Sequence, residues 1–403
     1  MNRGLLVAGS VLAAGFSCGE AMAQTKFDIK IGGDYFFEAG YVGQDLQDGL
    51  RSTEFRNRLR LIVTPIAKAD NGLEYGARLR LRAAGGDRLT DADRVYLFAN
   101  SPYGSLLAGV VDSFNNTVMA GLPVARPVDF LPVVQFDNVV FFLGPTGQSV
   151  PGTTRLAGAD IFGGPLPTLA TSMLWPTLSA SGSATKIAYH SPRFAGFQFG
   201  GSFTPRSDSS NADVNRVKAA SVAGAQFSGN FQDLVEVGVN YSNKFDAWSL
   251  GGSLGYQGGK TSASPSATDR FTDLRSWEAG LRVGYGGFAV GGSYTDYGKS
   301  GQNKLYGFTS ASRNWQVGAQ YTVGPVVVGG GYLHGEDPGN LALAGKRSFS
   351  AYELGVGYTV APGLLLQAQY DHFKSDSDKL STPATGPADD KGNVVLVRSV
   401  MVF

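Results

Sequence analysis

The sequence has 403 residues, with 34 Lys and Arg against 33 Asp and Glu, three His, one Cys and 56 Gly. The neutral balance argues against bulk nucleic-acid binding, and a single cysteine excludes a disulfide framework or a cysteine-built zinc centre. Glycine stands at about twice its usual ~7%, and no apolar run reaches the ~20 residues of a helical membrane span. Such a composition fits neither an ordinary soluble enzyme nor a helical membrane protein, but it fits strands on which lipid-facing and water-facing residues alternate.

Residues 1–23 read as a secretory signal. Arg3 supplies the positive charge, Leu5 to Phe16 is apolar and small, and Ala21-Met22-Ala23 offers a cleavage site before Gln24. The sole cysteine, Cys18, lies inside this segment, so the expected mature chain, 24–403, is free of thiols. That suits an oxidising compartment.

Two-residue alternation then recurs along the chain. In the second expected strand Arg56, Arg58 and Arg60 share one face, with Phe55, Leu59 and Leu61 on the other. In the third, Arg78, Arg80 and Arg82 alternate with Leu79 and Leu81, and Arg94 begins the fourth. The second and third are hairpin neighbours through residues 67–72, so their six arginines form a patch on one wall. An arginine on a lipid face costs ~2–4 kcal/mol at the midplane, and six would rival a domain's entire stability of ~5–15 kcal/mol. The arginines are therefore expected inside. Parallel guanidinium groups repel and need water and acids nearby. Glu54 and Glu74 share their faces, and Asp112, Asp129, Asp137 and Asp160 fall in or at the start of the next segment.

That segment, 113–183, breaks the alternation. It is far longer than an ordinary loop and carries eight prolines, among them Pro123, Pro127 and Pro132. It also contains apolar stretches, Phe130 to Phe136 and Val139 to Leu143. A loop folded inward against the wall needs such residues, whereas a solvated one does not. The arginine wall and acids of this loop can set a transverse field across a narrow passage. Salt bridges that merely hold the loop are the competing reading of the same residues.

Alternation resumes beyond it. Val235, Val237, Val239 and Tyr241 share a face, as do Trp277 to Tyr285, Trp315 to Tyr321 and Tyr352 to Tyr358, each against a polar or glycine face. Trp248 and Tyr256, like Trp277 and Tyr285, stand eight residues apart on the apolar stripe. That is about 26 Å of strand, or about 20 Å of height at a ~40° tilt, close to the ~25 Å band between aromatic girdles. Short links (192–196, 284–288, 323–325, 360–363) contrast with long polar ones (205–215, 258–275, 298–312, 335–348, 374–391).

Strand stretches fall near 27–42, 54–66, 73–84, 93–100, 105–112, 184–191, 196–204, 216–227, 233–242, 247–257, 276–285, 287–297, 313–322, 324–334, 349–359, 363–373 and 393–403. Single-chain bacterial barrels have an even number, so sixteen strands are expected, with the surplus in 216–257. The final stretch, Asn393-Val-Val-Leu-Val-Arg-Ser-Val-Met-Val-Phe403, places Val395, Val397, Ser399, Met401 and Phe403 on one face. Its backbone groups need neighbours on both sides, which a closed barrel provides.

Other motifs carry less. Gly251-Gly-Ser253-Leu-Gly255 matches a nucleophile elbow but sits inside an alternating run. Gly259-Lys260-Thr261 lacks the earlier glycine of a phosphate loop. His190, His334 and His372 are scattered, and spacing singles out no serine–histidine pair. Loop aspartates show no calcium-loop spacing. No cofactor, metal site or enzyme activity is expected.

The signal segment, girdled strands, long loop after the fifth strand, basic wall and terminal Phe403 together resemble the bacterial general porins, above all those of α-proteobacteria. The resemblance covers nearly all of 24–403. It implies an all-β transmembrane antiparallel β-barrel of sixteen strands whose long third loop folds into the lumen, assembled as a homotrimer in the outer membrane of a Gram-negative bacterium, among lipid and lipopolysaccharide. It further implies passive diffusion of small hydrophilic solutes and ions, with Arg56, Arg58, Arg60, Arg78, Arg80, Arg82 and Arg94 as the basic wall and Asp112, Asp129 and Asp137 as the acidic loop. The Pro-Glu-Phe-Gly-type signature of enterobacterial porins is missing from the loop. An anion- or substrate-selective channel using the same arginines is the second reading, and a barrel plugged by its loop the third.

Overall fold

The computed structural model describes residues 26–45, 51–83, 90–116, 148–149, 156–157, 178, 180–182, 184–212, 214, 216, 231–261, 271–339, 341–342, 344–377 and 389–403. The expected signal segment, 1–23, lies outside them. So do Asp129, Asp137 and Asp160.

Sixteen strands close into an antiparallel barrel. They are β1 (Asp28–Gln44), β2 (Thr53–Lys68), β3 (Glu74–Ala83), β4 (Thr90–Ser101) and β5 (Gly104–Val110), then β8 (Thr185–His190), β9 (Phe197–Arg206), β10 (Phe231–Phe245), β11 (Trp248–Thr261), β12 (Leu274–Tyr285), β13 (Phe288–Gly298), β14 (Ser312–Val323), β15 (Val326–Asp337), β16 (Arg347–Ala361), β17 (Leu364–Ser377) and β18 (Asp390–Val402). The two-residue pieces β6 (Gln148–Ser149) and β7 (Leu156–Ala157) pair only with each other. Each barrel strand pairs with its chain neighbours, and β1 pairs with β18 to close the ring. The ring has no terminal strand, so its ladder groups pair within the sheet rather than with water. The surplus stretch, 216–227, lies outside the described residues apart from 216. The wall has no slot for it, because β9 pairs directly with β10, Glu236 standing opposite Ser202.

The alternation in the sequence becomes an inside-out arrangement. On the outer face Val237, Leu254, Leu281, Val290 and Leu354 are between 48% and 62% exposed, whereas Glu236, Gln257, Glu278 and Glu353 on the same strands are at most 2% exposed. A water-soluble sheet would bury the first set and expose the second, so the apolar band is built for hydrocarbon. Register sets the aromatics in two rows. Trp248 lies opposite Tyr285, and Tyr256 opposite Trp277. Ring centroids at one end are 4.7 Å apart for Trp248–Tyr285 and 4.4 Å for Phe288–Tyr321. At the other end they are 5.3 Å for Trp277–Tyr294 and 4.7 Å for Tyr332–Tyr352.

The two ends of the barrel differ. At one end the links are 69–73, 102–103, 191–196, 246–247, 286–287, 324–325 and 362–363. The tightest use left-handed glycines, such as Gly286 (φ 56) and Gly324 (φ 53). At the other end the connections include 111–184 and 207–230. The short-link end also holds the closure. Gly33 donates its N–H to the Phe403 carbonyl (2.8 Å) and accepts from the Phe403 N–H (3.1 Å). The Phe403 ring lies over Gly33, where a Cβ would fall 2.8 Å from its Cζ. The two shortest barrel strands, β5 and β8, meet over six register pairs from Ser105↔His190 to Val110↔Thr185.

This arrangement makes the apolar stripe testable. Leu254→Arg, on the outer face of β11, is expected to cost about 2–4 kcal/mol of barrel stability in a lipid bilayer. Reversible guanidinium unfolding in phospholipid vesicles measures it.

Candidate functional site

The inner faces of β18, β1, β2, β3 and β4 carry a continuous band of eight arginines. Arg56, Arg58 and Arg60 descend β2 on the face opposite the outward Phe55 and Leu59. Register continues the band across the wall. Arg398 on β18 lies opposite Glu38, and Glu38 opposite Arg56. Arg60 lies opposite Arg82, and Arg80 opposite Arg94. Arg78 lies opposite Tyr96.

Among the described residues the wall strands supply most of the counter-charge. Glu38, fully buried, accepts from Arg56 (3.3 Å) and Arg398 (3.2 Å). Asp34 accepts from Arg58 at 2.8 Å. The Phe36 ring lies beneath three guanidinium groups, at 5.1 Å from Arg56, 4.7 Å from Arg58 and 5.8 Å from Arg398, so its π face stabilises the same cluster. Arg80 makes a two-pronged pair with Asp93, Nε–Oδ1 and Nη2–Oδ2 both 2.7 Å. Arg82 stands 3.5 Å from both Asp91 and Asp93. Arg94 pairs with Asp112, which also accepts from Asn116 at 3.2 Å. Among the described residues no carboxylate forms an ion pair with Arg60 or Arg78.

A bulge makes this possible. Between Arg80↔Arg94 and Leu81↔Ala92 the register of β3 and β4 slips by one. Asp93 is the extra residue, so consecutive residues Asp93 and Arg94 both serve the interior.

The segment after β5 begins inside the barrel. Phe114 is fully buried against the inner faces of β9 and β10. A Cβ on Gly200 would run into its ring, and one on Gly238 would lie 3.0 Å from it. The ring also meets His190 edge-on at 5.2 Å. Asn115 donates to the Tyr256 carbonyl on β11 (3.1 Å) and covers Gly238 and Gly255. Side chains at these glycines would fill the dock. The returning end is also held. Leu178 packs with Phe231, Leu234, Phe271, Leu274 and Tyr297 and donates its N–H to Glu278 (3.2 Å). Glu236 accepts from Ser181 (3.1 Å), Ser202 (2.7 Å) and Gln257. Lys186 ties both ends together, donating to the Val111 carbonyl (2.7 Å) and the Gly182 carbonyl (2.9 Å).

The sequence profile of the Gram-negative porins matches residues 8–378. The chain belongs to that family. Mutant forms of the porin of Rhodopseudomonas blastica share the fold of this porin, with a TM-score of 0.53 and 16% identity over 93% of this chain and 100% of theirs. A loop-deletion form of OmpT, an outer membrane protein of Vibrio cholerae, superposes with a TM-score of 0.54 and 12% identity over 94% of this chain. Uncharacterised proteins of Rickettsia typhi and Rickettsia prowazekii are 23% and 22% identical, each over at least 99% of both chains.

The porin's wall contains residues that the sequence reading passed over. Asp34 and Glu38 share a face of β1 with Phe36, and Arg398 alternates with Val395 and Val397, so parity alone could have placed all three inside. Asp93 could not be placed that way, because strict alternation from an inward Arg94 sends it to lipid. Glu54 and Glu74, on the arginine faces, engage Arg51 and Asn100 instead. The histidines stay apart. His334 Nδ1 lies 2.9 Å from Ser350 Oγ on the outer wall, but among the described residues no hydrogen bond orients the other ring nitrogen, and the neighbouring backbone N–H groups belong to the ladder.

Removing the Arg80 partner should expose the cost of a buried carboxylate. Arg80→Ala is expected to lower stability by about 1–3 kcal/mol, and adding Asp93→Asn should recover most of it. A double-mutant cycle by denaturant unfolding measures the coupling.

Proposed function

We propose that this porin forms a water-filled channel in the outer membrane through which small hydrophilic solutes and ions diffuse passively. The observation that carries the reading is the arginine band on the inner wall, together with the inserted segment whose two ends are fastened inside the same barrel. The narrowest section would lie between Arg56, Arg58, Arg60, Arg78, Arg80, Arg82 and Arg94 and the segment 113–183, with Asp112, Asp129 and Asp137 as its acidic side. Water confined between opposed charges orients dipolar solutes and slows apolar ones. The working unit would be a homotrimer in lipid and lipopolysaccharide, each barrel carrying its own pore.

A second reading, an anion- or substrate-selective channel, draws support from one feature. Among the described residues, eight guanidinium groups in the band stand beside five carboxylates, Asp34, Glu38, Asp91, Asp93 and Asp112. An excess of fixed cations attracts anions.

Planar-bilayer recording separates the readings. A diffusion porin gives large conductance steps in triplets with weak ion selectivity. Small steps with saturable block by one solute would favour the selective channel, and folded trimers that pass no current would rule out both. Arg58→Ala combined with Arg80→Ala should change conductance and reversal potential while the barrel still assembles. Unchanged values in both would remove these residues from the constriction.

A further inference from the structure

On the outer face, the register of β15–β18 sets the side chains in rows. Tyr332, Tyr352, His372 and Asn393 form one row. The next row towards the long-connection end is His334, Ser350, Lys374 and Lys391. In it Lys374 stands directly opposite Lys391 across the β17–β18 pair, and the two side chains are 58% and 60% exposed. Like charges placed directly opposite destabilise a sheet, and such local conflicts are expected where a site is built. Lys374 reaches Asp376 at 2.8 Å, whereas Lys391 stands 3.8 Å from Asp45. Both lysines lie just beyond the aromatic row of Tyr332 and Tyr352, at the level of the lipid headgroups.

Beneath the lysines the wall turns from polar to apolar. Asn393 Oδ1 accepts from the Tyr370 hydroxyl (2.7 Å) and lies 3.0 Å from His372 Nδ1. The Asn393 Nδ2 has no hydrogen bond among the described residues, so it remains a donor. Next to it the lipid-facing wall is indented by about 610 Å³, between Val328, Leu354, Val356, Ala368, Tyr370 and Val395. Ala368 makes the recess. Its register partners are Val356 and Val397, and its neighbours on the same face of β17 are Leu366 and Tyr370, all larger. A recess lined this way in a hydrocarbon band favours an apolar chain over water. Lys374 is six residues along β17 from Ala368. That is about 20 Å of strand, or about 15 Å of height at a ~40° tilt, half of the ~30 Å hydrocarbon core. A single lipid spans that distance from headgroup to chain. A second copy of this chain packed here would instead draw the lysine pair into a protein contact, where such residues are depleted.

Building on the outer-membrane placement above, but not on conduction, we propose that the outer face of β15–β18 is a binding site for one phosphate-headed acylated lipid. Lys374 and Lys391 receive the phosphate, whose charge relieves their mutual repulsion. The Asn393 amide donates to the oxygens that link headgroup and chain. The recess over Ala368 holds one acyl chain, with the Tyr370 ring as its upper wall.

Native mass spectrometry of the detergent-solubilised protein, titrated with phosphatidylglycerol and with a diacylglycerol of the same chains, tests the site. The native protein should retain phosphatidylglycerol in preference to diacylglycerol. Lys374→Gln combined with Lys391→Gln should weaken phosphatidylglycerol binding about tenfold or more and abolish that preference. Ala368→Phe, which fills the recess and leaves both lysines in place, should weaken retention of both lipids. Lys260→Gln removes an exposed lysine of β11 at the same end of the barrel and should leave binding at the native level. A native protein that retains neither lipid would overturn the assignment, as would an equal loss in Lys260→Gln or native binding in both the lysine double variant and Ala368→Phe. Dissociation of the oligomer by Ala368→Phe with lipid retention unchanged would make the face a subunit contact and overturn it too. Native-like circular-dichroism melting shows that each variant is folded. Conductance is read separately, so a protein that retains the lipid and passes no current upholds this site while it rejects the channel reading.

Discussion

Hydrocarbon offers a backbone no hydrogen-bond partner, and the rest of this structure answers that constraint. A sheet in lipid must pair every N–H and C=O within itself, so it must close. Closure here joins β1 to β18 through eleven register pairs and the Gly33–Phe403 hydrogen bonds. Once the sheet is closed, the period of two along each strand has one meaning around the whole ring, with odd positions of β2 facing lipid and even positions facing the interior. Apolar residues are then the exposed ones, and glutamates and glutamines the buried ones.

That inversion explains why arginine can be concentrated on one wall. The interior supplies carboxylates, whereas the exterior would cost several kcal/mol for each guanidinium near the midplane. Even inside, like charges at strand spacing repel, and among the described residues the wall strands themselves bring Asp34, Glu38, Asp91 and Asp93 to the arginines. The Asp93 bulge is the local price, a slip in the ladder that turns a carboxylate onto Arg80. The inserted segment uses a different device. Its first turn needs room against the wall, and Gly200, Gly238 and Gly255 provide it by leaving out side chains where Phe114 and Asn115 arrive.

Much of the fold was legible because closed barrels make parity global. The alternation around Trp248, Trp277, Trp315 and Tyr352, the aromatic bracketing and the two classes of connection all appear in the structure where the sequence places them. The stretch 216–227 alternates as the wall strands do, but alternation alone does not say whether a place in the wall exists, and β9 and β10 already pair with each other. In the site, the arginine rows were legible because three arginines at two-residue spacing are costly anywhere else. Their partners were not. Asp93 hides behind a register slip that leaves no local mark; Asp34 and Glu38 lie across the β1–β2 pair from Arg60 and Arg56, and Arg398 joins them only when the first and last strands meet.

The central claim is that the arginine faces of β2 and β3 line water while the alternate positions meet lipid. Single cysteines introduced by Arg58→Cys, Leu59→Cys, Arg78→Cys and Leu79→Cys, in protein reconstituted in phospholipid vesicles, test it directly with a small water-soluble methanethiosulfonate. The account predicts that positions 58 and 78 are modified readily and that 59 and 79 are not. Reversed or uniform labelling would contradict it.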